Sequence, residues 1–249
     1  MHRFYIAPAD WNPHALTLAG SEAHHARDVL RLTRGSRVVV FNGHGREITA
    51  EIIDTANSAV QLRKLHETET PRLRCRITLG QAVPKGKNMD LIVQKAVEIG
   101  AAEIAPIISD RTVVRLEEDE ATQKQAKWQT IAIEAAKQCG QNWLPQVRKP
   151  MTLAQFFTAP ARFDLQLIGS LQPDAQHLKR VLADYTAHHN GAHPASVLML
   201  VGPEGDFTPA ELNLARTHGC HPITLGPIIL RVETAAIYCL SVLSYELLV

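Results

Sequence analysis

The chain has 249 residues, of which 45% are hydrophobic and 20% are charged. Its 26 Lys and Arg residues and 25 Asp and Glu residues give a net charge of +1 at pH 7. This composition excludes a disordered tail, a collagen-like fibre and a uniformly basic surface, so any nucleic acid must bind to a local patch.

The amino-terminal part of the chain has the pattern of short strands joined by tight turns. Residues 37–41 form a β-branched run, and residues 46–53 alternate polar and apolar side chains, as half-buried strands do. A helix is predicted over residues 21–32, with Ser21 as its N-cap. Its apolar stripe comprises Ala23, Ala26, Val29 and Leu30. These elements predict a small β-barrel or sandwich.

A polar segment that ends in proline, residues 67–71, marks the predicted domain boundary. Two domains are therefore expected, over residues 1–70 and 71–249. The stretch that follows the boundary is basic, because residues 72–115 carry eight basic and four acidic side chains. A net charge of +4 in one segment favours a face that binds an anionic ligand.

From residue 76 onward, apolar runs alternate with helical periodicity. Strands are predicted at residues 77–83, 104–108, 165–168, 197–201 and 222–225. Helices are predicted over residues 122–139, 176–185 and 234–248. Another helix is predicted between Asn88, as its cap, and Gly100, where it stops. A further helix is predicted to begin at a capping box formed by Thr208, Pro209 and Glu211. The alternation indicates an α/β domain with a parallel sheet.

The sequence has features of a cytoplasmic protein that needs no metal. It begins without a secretory signal, and no window reaches the ~18 consecutive apolar residues of a membrane span. The four separated cysteines predict reduced thiols. The pair His24-His25 and the group His188-His189 with His193 have no carboxylate or thiolate cluster nearby in sequence, so no metal site is expected.

Two turns follow predicted strands of the sheet and contain both glycine and proline. Residues 202–207 are Gly-Pro-Glu-Gly-Asp-Phe, and residues 225–231 are Leu-Gly-Pro-Ile-Ile-Leu-Arg. Ligands of open parallel sheets bind beyond the carboxyl ends of the strands. Rigid turns with exposed backbone polar groups suit a planar heterocycle such as adenine. Neither turn is a P-loop or a dinucleotide-binding fingerprint, and either turn taken alone is better explained as the end of a strand.

Together the two turns resemble a specific family. Gly-Pro-Glu-Gly from Gly202, followed by Leu-Gly-Pro-x-Ile-Leu-Arg-x-Glu-Thr-Ala from Leu225, is similar to the carboxyl-terminal signature of the SPOUT methyltransferases. More narrowly, it resembles the ribosomal RNA small-subunit methyltransferase E family. The resemblance covers nearly the whole chain and includes Arg3-Phe-Tyr, His24-His25-Ala-Arg27, Gln81-Ala-Val-Pro-Lys-Gly, Gln94-Lys-Ala-Val-Glu98 and Gln138-Cys-Gly140.

The resemblance implies both a fold and a reaction. The expected fold is a SPOUT-type α/β domain with a parallel sheet and a carboxyl-terminal trefoil knot, preceded by a small PUA-like β-barrel that binds RNA. The expected reaction is methylation of N3 of one uridine in 16S ribosomal RNA near the decoding centre, with S-adenosylmethionine as methyl donor. The expected partners are the small ribosomal subunit and a second copy of the chain in a homodimer.

The resemblance also assigns site residues. Cofactor contacts are expected from Leu171, Val201, Gly202, Pro203, Glu204, Gly205, Leu225, Gly226, Pro227 and Leu230, with residues 169–171 as a far wall. RNA contacts are expected from Arg3, Arg27, Arg31, Arg34, Lys85, Lys87 and Arg111, since each neutralised phosphate contributes to binding.

Three residues are candidates for catalysis. Arg231 is expected to stabilise negative charge on the uracilate oxygens. Glu204 or Glu233 is expected to accept the N3 proton or to orient Arg231. The alternatives are that Glu204 is a turn carboxylate bonded to backbone N–H groups, and that Glu233 is an acid in the first turn of the last helix.

The chain departs from the common family pattern at Asp206, where a second glycine is usual, at Ile228, where arginine is frequent, and at Gln141, where arginine is also frequent. The first change adds negative charge beside the cofactor turn, and the other two remove positive charge. Two alternative functions therefore stay open, namely methylation of another RNA and a non-catalytic RNA-binding role in ribosome assembly. A nucleotide-dependent α/β enzyme is disfavoured because the chain has no loop of the kind that cradles phosphate.

Overall fold

The computed structural model describes residues 1–55, 58–112, 117–158 and 162–248. Arg115, which contributes to the basic segment, lies outside these ranges. The chain forms two compact units. The first comprises Met1–Arg72 together with Ile133–Leu144, and the second comprises Leu73–Ala132 together with Pro145–Val249.

The first unit is built on a five-stranded sheet. Its strands are β1 (His2–Tyr5), β2 (Thr17–Leu18), β3 (Arg37–Phe41), β4 (Arg46–Asp54) and β5 (Val60–Glu69), in the order β1-β3-β4-β5-β2. The first and third strands are parallel, and the other neighbours are antiparallel. A 3-10 turn (Pro8–Asp10) and the short helix α1 (Gly20–His24) lie between the first strands.

One apolar core fills this unit. Along β4, Ile48, Ala50 and Ile52 are fully buried at alternate positions, as the alternating sequence pattern predicts. Phe4 of β1 and Leu18 of β2 belong to the same buried cluster although these strands are the two outer ones of the sheet. The sheet therefore curves around its own apolar face, as in small barrels.

The predicted helix over residues 21–32 differs from the observed one. Ser21 is not the N-cap, because a left-handed Gly20 turns the chain into α1 one residue earlier and Ala19 takes the cap position. After His24 the helix widens into a π-helical segment, His25–Val29. A π turn rotates the following residues off the original face, which accounts for the 59% exposure of Val29, a residue predicted to lie in the apolar stripe.

The second unit contains the predicted α/β alternation, and its sheet is parallel throughout. Its strands are β6 (Arg76–Ala82), β7 (Glu103–Ile108), β8 (Gln146–Val147), β9 (Met151–Thr152), β10 (Leu165–Gly169), β11 (Gln176–His177), β12 (Ser196–Val201) and β13 (His221–Thr224). The order is β11-β13-β10-β12-β6-β7-β8, and β9 also pairs with β7. Its helices are α2 (Asn88–Ile99), α3 (Glu118–Cys139), α4 (Leu153–Thr158), α5 (Leu178–His188), α6 (Pro209–Thr217) and α7 (Val232–Leu247).

Several helix ends agree with the local sequence signals. Gly100 ends α2 with a left-handed φ of 96°, and Thr208 and Glu211 form the predicted capping box of α6. Asn88 is not the cap of α2, since Lys87 takes that position and Asn88 is the first helical residue. The helix predicted from residue 176 begins at Leu178, because the two preceding residues pair with β13 as β11.

The position of β13 is the topological feature that no sequence pattern indicates. This strand lies between β10 and β11, which are joined only by residues 170–175. Gly169 at the end of β10 and Gln176 at the start of β11 both pair with Ile223 of β13. The link therefore passes across β13 at the level of Ile223.

The segment Ile133–Leu144, at the end of α3 and beyond it, is held within the first unit by polar contacts. The nearly buried Lys137 amine donates to Glu22 Oε1 at 3.0 Å and to Glu134 Oε1 at 2.9 Å. Burial raises the pKa of Glu22, against the opposing effect of Lys137. Trp143 Nε1 donates to the carbonyl of Thr70 at 2.8 Å. Sequence patterns placed this segment in the second domain only.

All four cysteines, Cys75, Cys139, Cys220 and Cys239, are free thiols. Burial raises the pKa of Cys220 to about 12 and the pKa of Cys239 to about 12. Within the described ranges, no helix combines the length and the apolar character needed to cross a membrane.

Candidate active site

A cavity of about 470 Å³ opens beyond the carboxyl ends of three neighbouring strands, β13, β10 and β12. This volume lies within the range of about 300–1,000 Å³ that is common for small-molecule sites. The lining residues are Asn88, Gly169, Ser170, Leu171, Val201, Gly202, Pro203, Glu204, Asp206, Thr224, Leu225, Gly226, Ile228, Ile229, Leu230, Arg231, Val232, Glu233 and Ala235. The two turns and the first turn of α7 thus meet at one site.

The turn after β12, residues 202–207, is tightly packed and tied to its neighbours. A Cβ atom at position 202 would lie 3.2 Å from the backbone nitrogen of Phe207 and 3.3 Å from Asp206 Oδ1, which explains the glycine. The backbone N–H of Lys85 donates to Glu204 Oε1 at 2.9 Å. The guanidinium of Arg111 donates to the carbonyl oxygen of Gly205. The loops after β6 and β7 therefore support this turn.

The turn after β13, residues 225–231, has mainly local contacts. Gly226 adopts a φ of 115°, which favours glycine, and its N–H donates to Thr224 Oγ1 at 3.3 Å. The side chains of Ile228 and Ile229 are 73% and 76% exposed although both border the cavity. The turn ends at Arg231, which is the N-cap of α7 without a capping side-chain bond.

The three candidate catalytic residues line the same cavity. Glu233 lies in the first turn of α7, and its Oε2 accepts a hydrogen bond from Asn88 Nδ2 at 3.1 Å. Glu204 accepts the bond from Lys85 N–H, so it has the backbone contact that its alternative interpretation requires. With Asp206, the lining contains three carboxylates and one guanidinium, which favours a ligand that carries positive charge.

Among the described residues, no group of three or more His, Cys, Asp or Glu side chains is arranged to hold a metal ion.

The matches to family models divide the chain in the same order as the sequence patterns do. Residues 71–244 match the RNA methyltransferase domain, and residues 18–65 match the RNA methyltransferase PUA domain. A Synechocystis protein named ribosomal RNA small subunit methyltransferase E is 31% identical over 96% of this chain and 76% of its own length. The chain belongs to the ribosomal RNA small subunit methyltransferase E family.

Solved structures agree with this family over nearly the full chain. A methyltransferase from Legionella pneumophila, solved with bound SAM, is 34% identical with a TM-score of 0.86, over 98% of this chain and 97% of its own. The small subunit methyltransferase E from Neisseria gonorrhoeae, bound to S-adenosyl methionine, is 29% identical with a TM-score of 0.84, over 99% of this chain and 98% of its own. The resemblance stated from the motifs is therefore confirmed.

Most residues expected to contact the cofactor of a methyltransferase E border the cavity. They are Leu171, Val201, Gly202, Pro203, Glu204, Leu225, Gly226 and Leu230. Gly205 and Pro227 are not part of the lining. Gly205 is exposed and contacts Arg111, while Pro227 is exposed within the second turn.

The residues expected to bind RNA in the first unit differ in whether protein groups already engage their guanidinium. Arg3 forms an ion pair with Glu47, donates to Asn142 Oδ1 at 2.7 Å and lies 4.9 Å from the ring of Phe41. This guanidinium therefore has a structural role. Arg31 and Arg34 are exposed. Arg27 is paired with the carboxylate of Asp28.

Arg27 donates to both carboxylate oxygens of Asp28, at 2.9 and 2.8 Å. Hydrogen bonds from Arg27 lower the pKa of Asp28 to about 2. A phosphate would compete with this charged neighbour for Arg27.

The residues expected to bind RNA in the second unit lie on loops that contact the 202–207 turn. Lys85 and Lys87 are exposed on the loop between β6 and α2, and Arg111 is exposed on the loop after β7. The bonds of the first loop to Glu204 and of Arg111 to Gly205 bring both loops to the cavity edge.

Sequence reasoning did not assign seven of the lining residues to the site. They are Asn88, Asp206, Thr224, Ile228, Ile229, Val232 and Ala235. Asp206 and Ile228 were noted only as departures from the family pattern, and Asn88 only as a cap. The spacing of Val232 and Ala235 along the first turn of α7 was a usable signal, whereas the approach of Asn88 depends on how α2 packs against α7.

Proposed function

We propose that the protein transfers the methyl group of S-adenosylmethionine to N3 of a uridine in 16S ribosomal RNA near the decoding centre, with the small ribosomal subunit as substrate. The observation that carries this proposal is the single cavity that gathers the two signature turns with Arg231, Glu204 and Glu233. Such a substrate implies a cytoplasmic enzyme.

The cavity has the properties that this cofactor requires. Glycines at positions 202 and 226 allow a ligand to approach the backbone of both turns closely. The three carboxylates of the lining suit a ligand with a positively charged sulfonium group and an amine. When bound, S-adenosylmethionine supplies the methyl group and leaves as a neutral thioether. The relatives solved with this cofactor support the assignment.

The chain's own groups have three tasks in this reaction. The site must accept an unpaired uracil, because N3 lies on the Watson–Crick edge. Arg231 stabilises the negative charge that appears on the uracil oxygens as N3 loses its proton. Glu204 or Glu233 takes that proton or orients Arg231, since both carboxylates border the same cavity as the guanidinium.

The cations near the cavity support a ribosomal RNA substrate. Lys85, Lys87 and Arg111 are exposed on loops bonded to Glu204 and Gly205 of the first turn, so a polyanion that reaches the cavity meets positive charge. Within the PUA domain, the exposed Arg31 and Arg34 are the better candidates, because Arg3 is engaged by Glu47 and Asn142.

The proposal includes a trefoil knot and a homodimer. The passage of residues 170–175 across β13 supports the knot, because β13 comes later in the chain and lies between the two strands that this link joins. Exposed aromatic and apolar side chains support a dimer through α2 and α7. Tyr238 is 41% exposed, Tyr245 is 80% exposed and Leu91 is 40% exposed.

The test is methylation of purified small ribosomal subunits from cells that lack this modification, with radiolabelled S-adenosylmethionine. An N3 methyl group blocks Watson–Crick pairing, so reverse transcription should stop at one new uridine near the decoding centre. Subunits from cells that carry the modification are the control and should accept no label. Label at another site would indicate a different RNA target, and cofactor binding without any label would overturn the proposed substrate. Loss of both binding and label would support an assembly role.

A further inference from the structure

Asp206 combines an unusual backbone with a bridging side chain. Its φ is 62°, and in the described part of the chain it shares a positive φ with two other non-glycine residues, Arg31 and Asn190. This conformation is unfavourable for residues with a Cβ atom, and Asp tolerates it mainly when its carboxylate bonds to nearby backbone. A glycine would adopt this conformation freely.

The carboxylate of Asp206 joins two separate loops. Oδ1 accepts from the N–H of Phe207 at 2.8 Å, within its own turn. Oδ2 accepts from the N–H of Leu171 at 3.3 Å, in the link that follows β10. Because β10 and β12 are neighbours in the sheet, one side chain connects the loops at their adjacent carboxyl ends.

Both connected loops are walls of the cavity. Leu171 borders the cavity with a side chain that is 64% exposed, so little apolar packing holds it there. The preceding residue is fixed by the bond from Ser170 N–H to the carbonyl of Ile223, at 2.9 Å. The Asp206 bond extends this anchoring to Leu171. Since both carboxylate oxygens accept backbone hydrogen bonds, Asp206 is poorly suited to act as a proton acceptor in the reaction.

We propose that Asp206 is a positioning residue for cofactor binding, which holds the wall formed by Leu171 at a set distance from the 202–207 turn. The inference rests on the proposed function, because it takes S-adenosylmethionine as the ligand. It assigns to the Asp206 carboxylate the task of joining the two loops that form walls of the cavity. Asp206 acts through the backbone of Leu171 and not on the reacting atoms.

The test compares cofactor binding by the wild-type chain, Asp206→Asn and Asp206→Gly, measured by calorimetry with S-adenosylmethionine. Asn keeps one carbonyl acceptor, but its amide group faces an N–H donor, so it retains one of the two bonds. Gly removes both bonds and relieves the backbone. We expect Kd to rise by about tenfold for Gly and by about threefold for Asn. The KM for cofactor should follow Kd, with kcat at saturation unchanged.

Asn190→Gly is the matched control, because it relieves a left-handed residue on an exposed segment that does not border the cavity. Its Kd should equal that of the wild-type chain. Hydrogen exchange gives a second readout, since the amide of Leu171 should exchange faster in Asp206→Gly than in the wild-type chain.

Equal Kd values and equal Leu171 exchange in the wild-type chain and Asp206→Gly would overturn the inference. Failure of the wild-type chain itself to bind S-adenosylmethionine would instead overturn the proposed function. If Asp206→Gly does not fold, Asp206→Asn decides: an unchanged Kd with unchanged Leu171 exchange contradicts the inference.

Discussion

The two turns that line the cavity differ in how they are held. The 202–207 turn is bonded to the loops after β6, β7 and β10 through Lys85, Arg111 and Leu171. The 225–231 turn exposes Ile228 and Ile229 and bonds mainly to the adjacent Thr224. A turn that is hydrogen-bonded to several loops keeps its shape without ligand, whereas a turn with few buried contacts is free to close over a ligand. The 202–207 turn is therefore the preformed wall of the cavity, and the 225–231 turn is the wall that we expect to adapt to the ligand.

The largest expected effect concerns Arg231, where the adaptable turn meets α7. Arg231→Ala should lower kcat by about 100-fold or more, because a cation aimed at developing charge is removed. Cofactor Kd should change little. Single-turnover methylation and calorimetry measure the two quantities. Full single-turnover activity in a variant that binds cofactor normally would exclude the charge-stabilising role, and Arg231→Lys tests whether charge alone suffices.

Substitution of Glu211 tests whether the carboxyl-terminal end of the 202–207 turn is anchored by buried hydrogen bonds. This carboxylate is buried and accepts from Thr208 N–H at 2.9 Å, Ser109 Oγ at 3.1 Å and Asp110 N–H at 3.0 Å. Glu211→Ala should lower the free energy of unfolding by about 3 kcal/mol, because one buried donor and two partly buried donors lose their partner. Urea denaturation measures this change.

The exposed carboxylate Asp174, paired with Arg216, is the matched control for Glu211. Asp174→Ala should change the free energy of unfolding by less than about 0.5 kcal/mol. If the two variants lose equal stability, the hydrogen bonds of Glu211 do not anchor the 202–207 turn.

Polar substitution of Ile228 and Ile229 tests whether the second turn closes. The double variant Ile228→Ser with Ile229→Ser should leave the melting temperature nearly unchanged, since both side chains are largely exposed. Its cofactor Kd should rise by about fivefold if these side chains cover bound ligand. Val29→Ser, at another exposed apolar residue, serves as the control. An unchanged Kd in the double variant would contradict closure.

The smallest effect is expected from substitution of the lysines in the loop between β6 and α2, which is bonded to the 202–207 turn. Lys85→Ala or Lys87→Ala should weaken binding to small ribosomal subunits by about threefold each and should reduce the slope of log K against log salt by about 1. Lys179→Ala, on the exposed surface of α5, is the matched control and should change neither quantity. Identical slopes for all variants would remove these lysines from the RNA contact.

Local sequence signals predicted the elements whose conformation depends on near neighbours. The capping box of Thr208 and Glu211 and the left-handed Gly100 were predictable because each satisfies the ends of its own helix. The parallel sheet followed from the alternation of apolar runs and helical stripes. The predicted Ser21 cap was wrong because a left-handed Gly20 starts α1 one residue earlier. The predicted burial of Val29 was wrong because a π turn changes the helical period without a sequence signature.

The contacts that sequence reasoning missed join residues far apart in the chain. Asn88 bonds to Glu233, and Leu171 bonds to Asp206. Both pairs exist only because α2 packs against α7 and β10 lies beside β12. The return of Ile133–Leu144 to the first unit has the same origin, since Lys137 finds Glu22 and Trp143 finds Thr70 through folding alone.

The sequence by itself determined the family, the order of the two domains and the two motifs that line the cavity, since short-range patterns and their order along the chain carry that information. Only the tertiary structure decided that β13 lies between β10 and β11 and that Asp206 bonds to two loops. It also decided that Glu204 is bonded to the loop before α2 and that Glu233 is bonded to Asn88, the first residue of α2. Strand order and side-chain contacts across it depend on the packing of distant segments, which no local pattern specifies.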